Sequence, residues 1–216
     1  MRNQFDEQLD ELNTAMIEMG ALCEDAIANT MKAIDDGSDA LSEKVIRISA
    51  EIDQKEKEIE TRCLKLLLQQ QPVARDLRQI SAALKMITDM ERIGDQAEDI
   101  AEIITFLGGR TASELPQIHD MAREVTAMVT DSVDSFVRQD VQTALSVISH
   151  DDVVDRYFSE AKTRLIALIA ENPADGEYAL DLLMIAKYFE RIGDHATNIA
   201  GWVVFAVTGA HEGEEN

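Results

Sequence analysis

One string of five residues occurs twice in this chain, and that repetition constrains the fold more than any other feature. Glu91-Arg92-Ile93-Gly94-Asp95 returns 99 residues later as Glu190-Arg191-Ile192-Gly193-Asp194. In the same register Ala97, Ile100 and Ala101 fall on Ala196, Ile199 and Ala200. The stripe Met86, Met90, Ile93, Ala97, Ile100, Ile104, Leu107 lands on Ile185, Phe189, Ile192, Ala196, Ile199, Val203, Ala206, apolar at every position. Steps of three and four residues between apolar positions are the period of an amphipathic helix. The chain must therefore accommodate one helical unit used twice.

The remaining punctuation gives that unit three helices. Asp36-Gly37-Ser38 separates a first helix, roughly 4–36, from a second, roughly 39–70. Gln71-Pro72 closes the second, because the residue before a proline avoids the α region. A third helix runs to about Leu107, and Gly108 to Pro116 reads as a linker. A fourth covers roughly 117–138; Asp140 is the expected N-cap of a fifth that ends near Glu171. Asn172-Pro173 reads as the cap and first-turn proline of a sixth, near 174–207. The expected architecture is all-α, six helices in two pseudo-symmetric three-helix bundles, with units at 1–110 and 111–216 and an acidic tail, HEGEEN. Composition agrees: 45% of residues are hydrophobic, while ten glycines and three prolines are too few for the turns of a β fold.

The formal net charge of −22 repels phosphate backbones and argues against direct nucleic-acid binding. It equally disfavours adsorption to an anionic bilayer, and it attracts cations. Cys23 and Cys63 are too few for a disulfide framework, lack metal-ligand spacing and sit among apolar-periodic residues, so both read as buried free thiols. The N-terminal MRNQFDEQLDEL has no apolar stretch of the signal-peptide kind. The run Ile199 to Ala210 is too short to cross a bilayer, so a cytoplasmic protein is expected. Core is the reading for Trp202 to Phe205.

The charged residues that break local rules are the informative ones. Glu91, Asp95 and Asp99 are spaced by four, so they form one row on the third helix, with Glu98 and Glu102 close by. On the sixth helix the row is Glu190, Asp194 and Asn198. Like charges at this spacing cost a helix roughly 0.2–0.5 kcal/mol per pair. Gly94 and Gly193 inside the helices each cost about 1 kcal/mol more. Both penalties recur at the same register, which calls for a compensating interaction. Facing acids are available: Asp53 on the second helix, and Asp151 with Asp155, again four apart, on the fifth. Converging carboxylates suit hard, oxygen-loving cations, and a glycine beside the row lets a neighbouring helix approach. Ion pairs with nearby Lys or Arg, and glycines that serve tight packing only, are the plainer explanation. Arg92 and Arg191 read as ion-pair partners, and His195 as a lesser candidate ligand.

Enzymatic constellations are missing. A di-iron carboxylate core needs Glu-x-x-His, and the residues three after Glu91 and Glu190 are Gly94 and Gly193. No Ser-His-Asp or Cys-His set, phosphate loop or dinucleotide fingerprint appears, and His119, His150 and His211 form no cluster. The expectation is a protein that is not an enzyme; a carboxylate-bridged metalloenzyme and a purely structural scaffold are the alternatives.

The doubled Glu-Arg-Ile-Gly-Asp, with Ala97 and Ile100 or Ala196 and Ile199 after it, resembles the PhoU family of bacterial phosphate-signalling regulators. Gln71-Pro72-Val73-Ala74-Arg75-Asp76-Leu77-Arg78 is similar to that family's Gln-Pro-x-x-x-Asp-Leu-Arg segment, and Val45-Ile46 and Ile52-Asp53 to its second helix. The likeness covers essentially the whole chain. It implies metal binding through the acidic motifs. Carried over by position, one site would use Glu91, Asp95, Asp99 and Asp53, the other Glu190, Asp194, Asp151 and Asp155. The ions implied are divalent or trivalent: Fe, Mn, Mg or Zn. The sequence departs from the pattern at Ser49, which stands where Asp151 has its match, and at Asn198, which matches Asp99. The resemblance further implies a cytoplasmic negative regulator of the phosphate-starvation response. Such a regulator links the nucleotide-binding subunit of a phosphate ABC transporter to a sensor histidine kinase by protein–protein contact, and is commonly a homodimer. Members of the family also regulate other transporters, so a different transporter is the alternative.

Overall fold

The computed structural model describes residues 2–70 and 72–210. Six long helices follow one another: α1 Arg2–Asp36, α2 Asp39–Gln70, α3 Ala74–Phe106, α4 Gln117–Arg138, α5 Val141–Glu171 and α6 Gly176–Thr208. No strand occurs among the described residues. Gln71 and the HEGEEN tail, including His211, lie outside them.

The caps follow the sequence closely. The Asp140 carboxylate accepts from the backbone N–H groups of Gln142 and Thr143, satisfying two of the unpaired donors at the start of α5. Asn172 accepts from the N–H of Ala174, but what it caps is a short 3-10 turn, Pro173–Asp175; α6 itself starts at Gly176. The sixth helix thus begins slightly later than its proline suggests, because the 3-10 turn completes the corner first. Gly37 and Gly109 both take positive φ, and the Gly37 turn sits against Gly109, where a Cβ would lie 3.2 Å from the Gly109 carbonyl oxygen. Only residues tolerant of the left-handed region suit these two turns.

Helices α1–α3 and α4–α6 form the two repeats, and their packing is continuous. The most extensive helix pair is α3 with α6, one from each repeat, and α1 packs on α4 across the same divide. Asp99 meets Tyr188, Asp89 meets Asn198, and Arg78 reaches the carbonyl of Ala206, so α3 and α6 run antiparallel. A single apolar cluster runs through both repeats, with Met16, Met19, Ile52, Met90, Phe136 and Phe189 among its fully buried members. Cys23 and Cys63 are both in it as free thiols, pushed up to about 12 by burial, which keeps them protonated and unreactive. Val203 and Val204 are core, and Trp202 packs edge-on against Phe205 beside them. The linker is pinned by Arg110, which pairs with Asp175 at 2.8 Å and lies 3.4 Å over the Tyr178 ring. No helix of the described residues is long and apolar enough to cross a membrane.

Candidate metal centre

In the first repeat, α2 and α3 cross at Gly94. A Cβ there would sit 3.0 Å from Ile52 Cδ1, so the missing side chain is what lets Ile52 seat between the helices. That approach carries the next residue of α2, Asp53, to the carboxylate row of α3. Oxygens of Asp53, Glu91 and Asp95 all lie within 4.8 Å of one another, and all three side chains are half-buried. Glu91 is pushed above the ordinary carboxylate range, first by burial, then by Asp95, against the pull of Arg92; Glu56 and Asp53 add to the rise. Arg92 is the local counter-charge, 2.9 Å from Asp95 and 3.4 Å from Glu91. Although adjacent residues point differently on a helix, the long guanidinium folds back to reach its neighbour.

Asp99 is not a member of this triad. It accepts a hydrogen bond from Tyr188 of α6 and is itself raised, chiefly by burial and by Glu102. The row of three acids on α3 therefore divides: two turn to α2 and the third faces α6. Glu56 was not singled out from the sequence. One turn beyond Asp53, it belongs to the same acidic neighbourhood, raised by burial and then by Glu60 and Asp53. Its i, i+3 spacing from Asp53 was the available signal.

The second repeat brings the matching residues near one another but does not gather them as tightly. Asp151 lies at the centre, 3.3 Å from where a Cβ of Gly193 would be, with Val154 at 3.5 Å. Asp151 is raised to about 6, first by burial, then by Asp194, Asp155 and Glu190. Among the described residues no three of these four offer oxygens within 4.8 Å of one another. Two causes are visible. Lys187 takes the Glu190 carboxylate in an ion pair, and Asp155 and Asp194 are exposed, so their charges lie in water. His195 is not turned to this cluster: its Nδ1 bonds Asp89 of α3 at 2.9 Å, beside Asn198 at 3.1 Å from the same oxygen.

The Tyr188–Asp99 and Asn198–Asp89 bonds are mates under the 99-residue register, which maps Asp89 on Tyr188 and Asp99 on Asn198. The departure at Asn198 thus belongs to a cross-link between repeats. Nothing in a single helix pattern shows this; it needs the antiparallel pairing of α3 and α6.

Three hard oxygen donors with one short gap between helices are a donor set that fits a Mg, Mn or Fe ion, and Zn accepts oxygen as well. At such a centre Asp53, Glu91 and Asp95 would supply the ligands, and the ion would offset the repulsion that the helix alone cannot. In the second repeat Asp151, Asp155, Asp194 and Glu190 would offer the same chemistry only once the exposed acids turned inward and Glu190 left Lys187.

The PhoU domain model matches residues 16–104 and again 118–203. A phosphate-specific transport system accessory protein PhoU homolog of Clostridium acetobutylicum is 34% identical over 210 residues, covering 96% of each chain. Its counterpart in Aquifex aeolicus is 36% identical, with 85% of this chain and 84% of that one covered. The crystal structure of PhoU from Pseudomonas aeruginosa superposes with a TM-score of 0.89 at 33% identity, covering 95% of this chain and all 100% of that one. The phosphate transport system regulatory protein PhoU from Streptococcus pneumoniae gives 0.87 at 25% identity, over 96% and 98%. With two domain matches in the two repeats, and relatives aligned along nearly its whole length, this chain belongs to the PhoU family.

Proposed function

We propose that this chain is a cytoplasmic regulator of phosphate transport, a negative regulator of the phosphate-starvation response that binds metal in its acidic clusters. It acts by contact, joining the nucleotide-binding subunit of a phosphate ABC transporter to a sensor histidine kinase. The observation that carries the reading is similarity to a transport accessory protein across 96% of both chains, with the family's domain matched once in each repeat. The acidic clusters support the metal part: their repulsion is built in at two equivalent places, and at Gly94 and Gly193 the helix yields its own stability to let the neighbour in. Homodimerisation belongs to the same reading.

The test has two arms. Manganese or iron titration of the chelator-stripped protein is expected to show a tighter site in the first repeat, lost in Asp53→Ala and Glu91→Ala by tenfold or more in affinity. The looser site is lost in Asp151→Ala. No binding at saturating ion would end the metal account. Capture of the transporter's nucleotide-binding subunit and of the kinase from lysate tests the adaptor account, and capture of neither at any phosphate level would end it. Measured phosphate-ester hydrolysis or ferroxidase turnover by the metal-loaded protein would instead favour a carboxylate-bridged metalloenzyme.

A further inference from the structure

Between α3 and α6, on the face opposite to neither repeat but shared by both, lies a polar groove of about 410 Å³. Its α3 wall carries Asp95, Glu98, Asp99 and Glu102, set against the guanidinium groups of Arg92 and Arg191, so carboxylates outnumber cations two to one. Arg92 is already held by Glu91 and Asp95. Gln96 also lines the groove; it is 7% exposed, and its Oε1 has no hydrogen-bond partner. A buried amide oxygen without a donor is costly, so Gln96 places an unmet acceptor in the wall of the groove.

Past the residues that line the groove, helical register continues both of its helices into apolar side chains that the fold leaves in water. Phe106 is 76% exposed, Leu180 57% and Met184 43%. Asp99, Glu102 and Phe106 follow at steps of three and four, so Phe106 continues the acidic wall of α3. Leu180, Met184 and Tyr188 follow at steps of four, so the first two continue the stripe on α6 that meets Asp99 through Tyr188. Because the helices are antiparallel, moving seven residues on from Asp99 and eight back from Tyr188 brings Phe106 level with Leu180. Large apolar groups and an excess of negative charge thus adjoin on one surface of a chain whose net charge is −22.

We propose that this α3–α6 surface is a docking site for a basic amphipathic helix of a partner protein. The helix lays apolar side chains on Phe106, Leu180 and Met184 and directs Lys or Arg into the groove, where their N–H groups meet Glu98, Asp99, Glu102 and the Gln96 amide. Helix-in-groove recognition of this type reads anchors at i, i+3, i+4 and i+7, and charge complementarity sets its orientation and rate. Neither feature suffices alone: acids by themselves bind any cation, and three apolar side chains are too small an anchor. The proposal deepens the adaptor reading, in which the chain works by contact, and it makes no use of bound metal.

The test uses the full chain in excess chelator and a synthetic 18-residue Leu/Lys peptide of helical period, followed by fluorescence anisotropy. The control peptide has the same composition in an order that destroys amphipathicity. Expected are binding of the amphipathic peptide at least tenfold tighter than the control, and a tenfold or greater loss in Phe106→Ser/Met184→Ser and in Glu98→Gln/Glu102→Gln. Glu43→Gln/Glu51→Gln, an equal charge change on exposed positions of α2, is expected to change affinity less than twofold. Equal loss in every charge variant, or no preference between peptides, overturns the proposal by showing diffuse attraction only. Conversion of a dimer to a monomer by Phe106→Ser/Met184→Ser, read by sedimentation, overturns it in favour of a second copy on this surface. Peptide binding without capture of the transporter subunit fells the phosphate assignment and leaves the surface; capture without peptide binding does the reverse.

Discussion

The two acidic clusters are built on the same backbone and differ in how their charges are arranged. In the first repeat Ile52 fills the space over Gly94, Ser49 is buried one turn earlier, and Asp53, Glu91 and Asp95 converge. In the second the shorter Val154 leaves room over Gly193, and Asp151 occupies it with a carboxylate. Lys187 stands where the first repeat has Thr88, and it draws Glu190 away. One more acid and one more cation have been added together. The comparison teaches that duplication preserves the place where helices meet, while side-chain volume and local charge decide whether the acids there close on one point or spread.

The sharpest way to break this comparison is to remove the apolar wedge from each crossing. Ile52→Ala deletes a fully buried side chain and is expected to cost about 4 kcal/mol, with Val154→Ala nearer 2 kcal/mol because less volume is lost. Urea unfolding of both variants reads the difference. Equal costs would mean that the two crossings are packed alike and that the larger wedge does not hold the first cluster together.

The cross-links between repeats give the next largest expected effect. Asp89 accepts from both His195 and Asn198, whereas Asp99 accepts from Tyr188. Asp89→Ala leaves two groups of α6 without their acceptor and is expected to cost about 1.5 kcal/mol, while Tyr188→Phe removes one bond near solvent and costs about 0.5–1 kcal/mol. Because these bonds join α3 to α6, loss should appear as one transition shifted to lower urea. Two separated transitions in either variant would show the repeats unfolding as independent units, contrary to their shared core.

The difference between what helix periodicity reveals and what it hides follows from the same contacts. The six helices, their ends and the duplication are written in local signals: the Asp36-Gly37 turn, the Asp140 cap, and apolar steps repeated 99 residues on. The family too was legible, since its motif falls at the site. Which acids share a point was not. Periodicity puts Glu91, Asp95 and Asp99 in one row, but α2 approaches one edge of that row and α6 the other, so Asp99 goes to Tyr188. Likewise the lysine at 187 is unremarkable in sequence until its i, i+3 reach to Glu190 is seen beside the crowded Asp151.

Asp151 supplies the smallest and most specific test. Its carboxyl is raised to about 6 from an ordinary 3.8, by burial first and by Asp194, Asp155 and Glu190 after it. Between these values the folded chain holds a proton that the unfolded chain has released, so stability falls as pH rises through the window and levels off above it. Asp151→Asn removes the group that must ionise. In metal-free protein its stability relative to the parent should rise from near zero at the acid edge to a gain of about 1 kcal/mol at neutral pH, a figure reduced from the full shift because the carboxyl is partly solvated. The match in the first repeat is Ser49, so Ser49→Asp is expected to do the opposite, destabilising the stripped protein most at neutral pH. Bound metal should reverse both signs, since a cation held by the cluster favours the ionised acid. A gain for Asp151→Asn that stays constant across pH would place the crowding elsewhere in the cluster and remove the charge difference between the repeats as the reason they diverge.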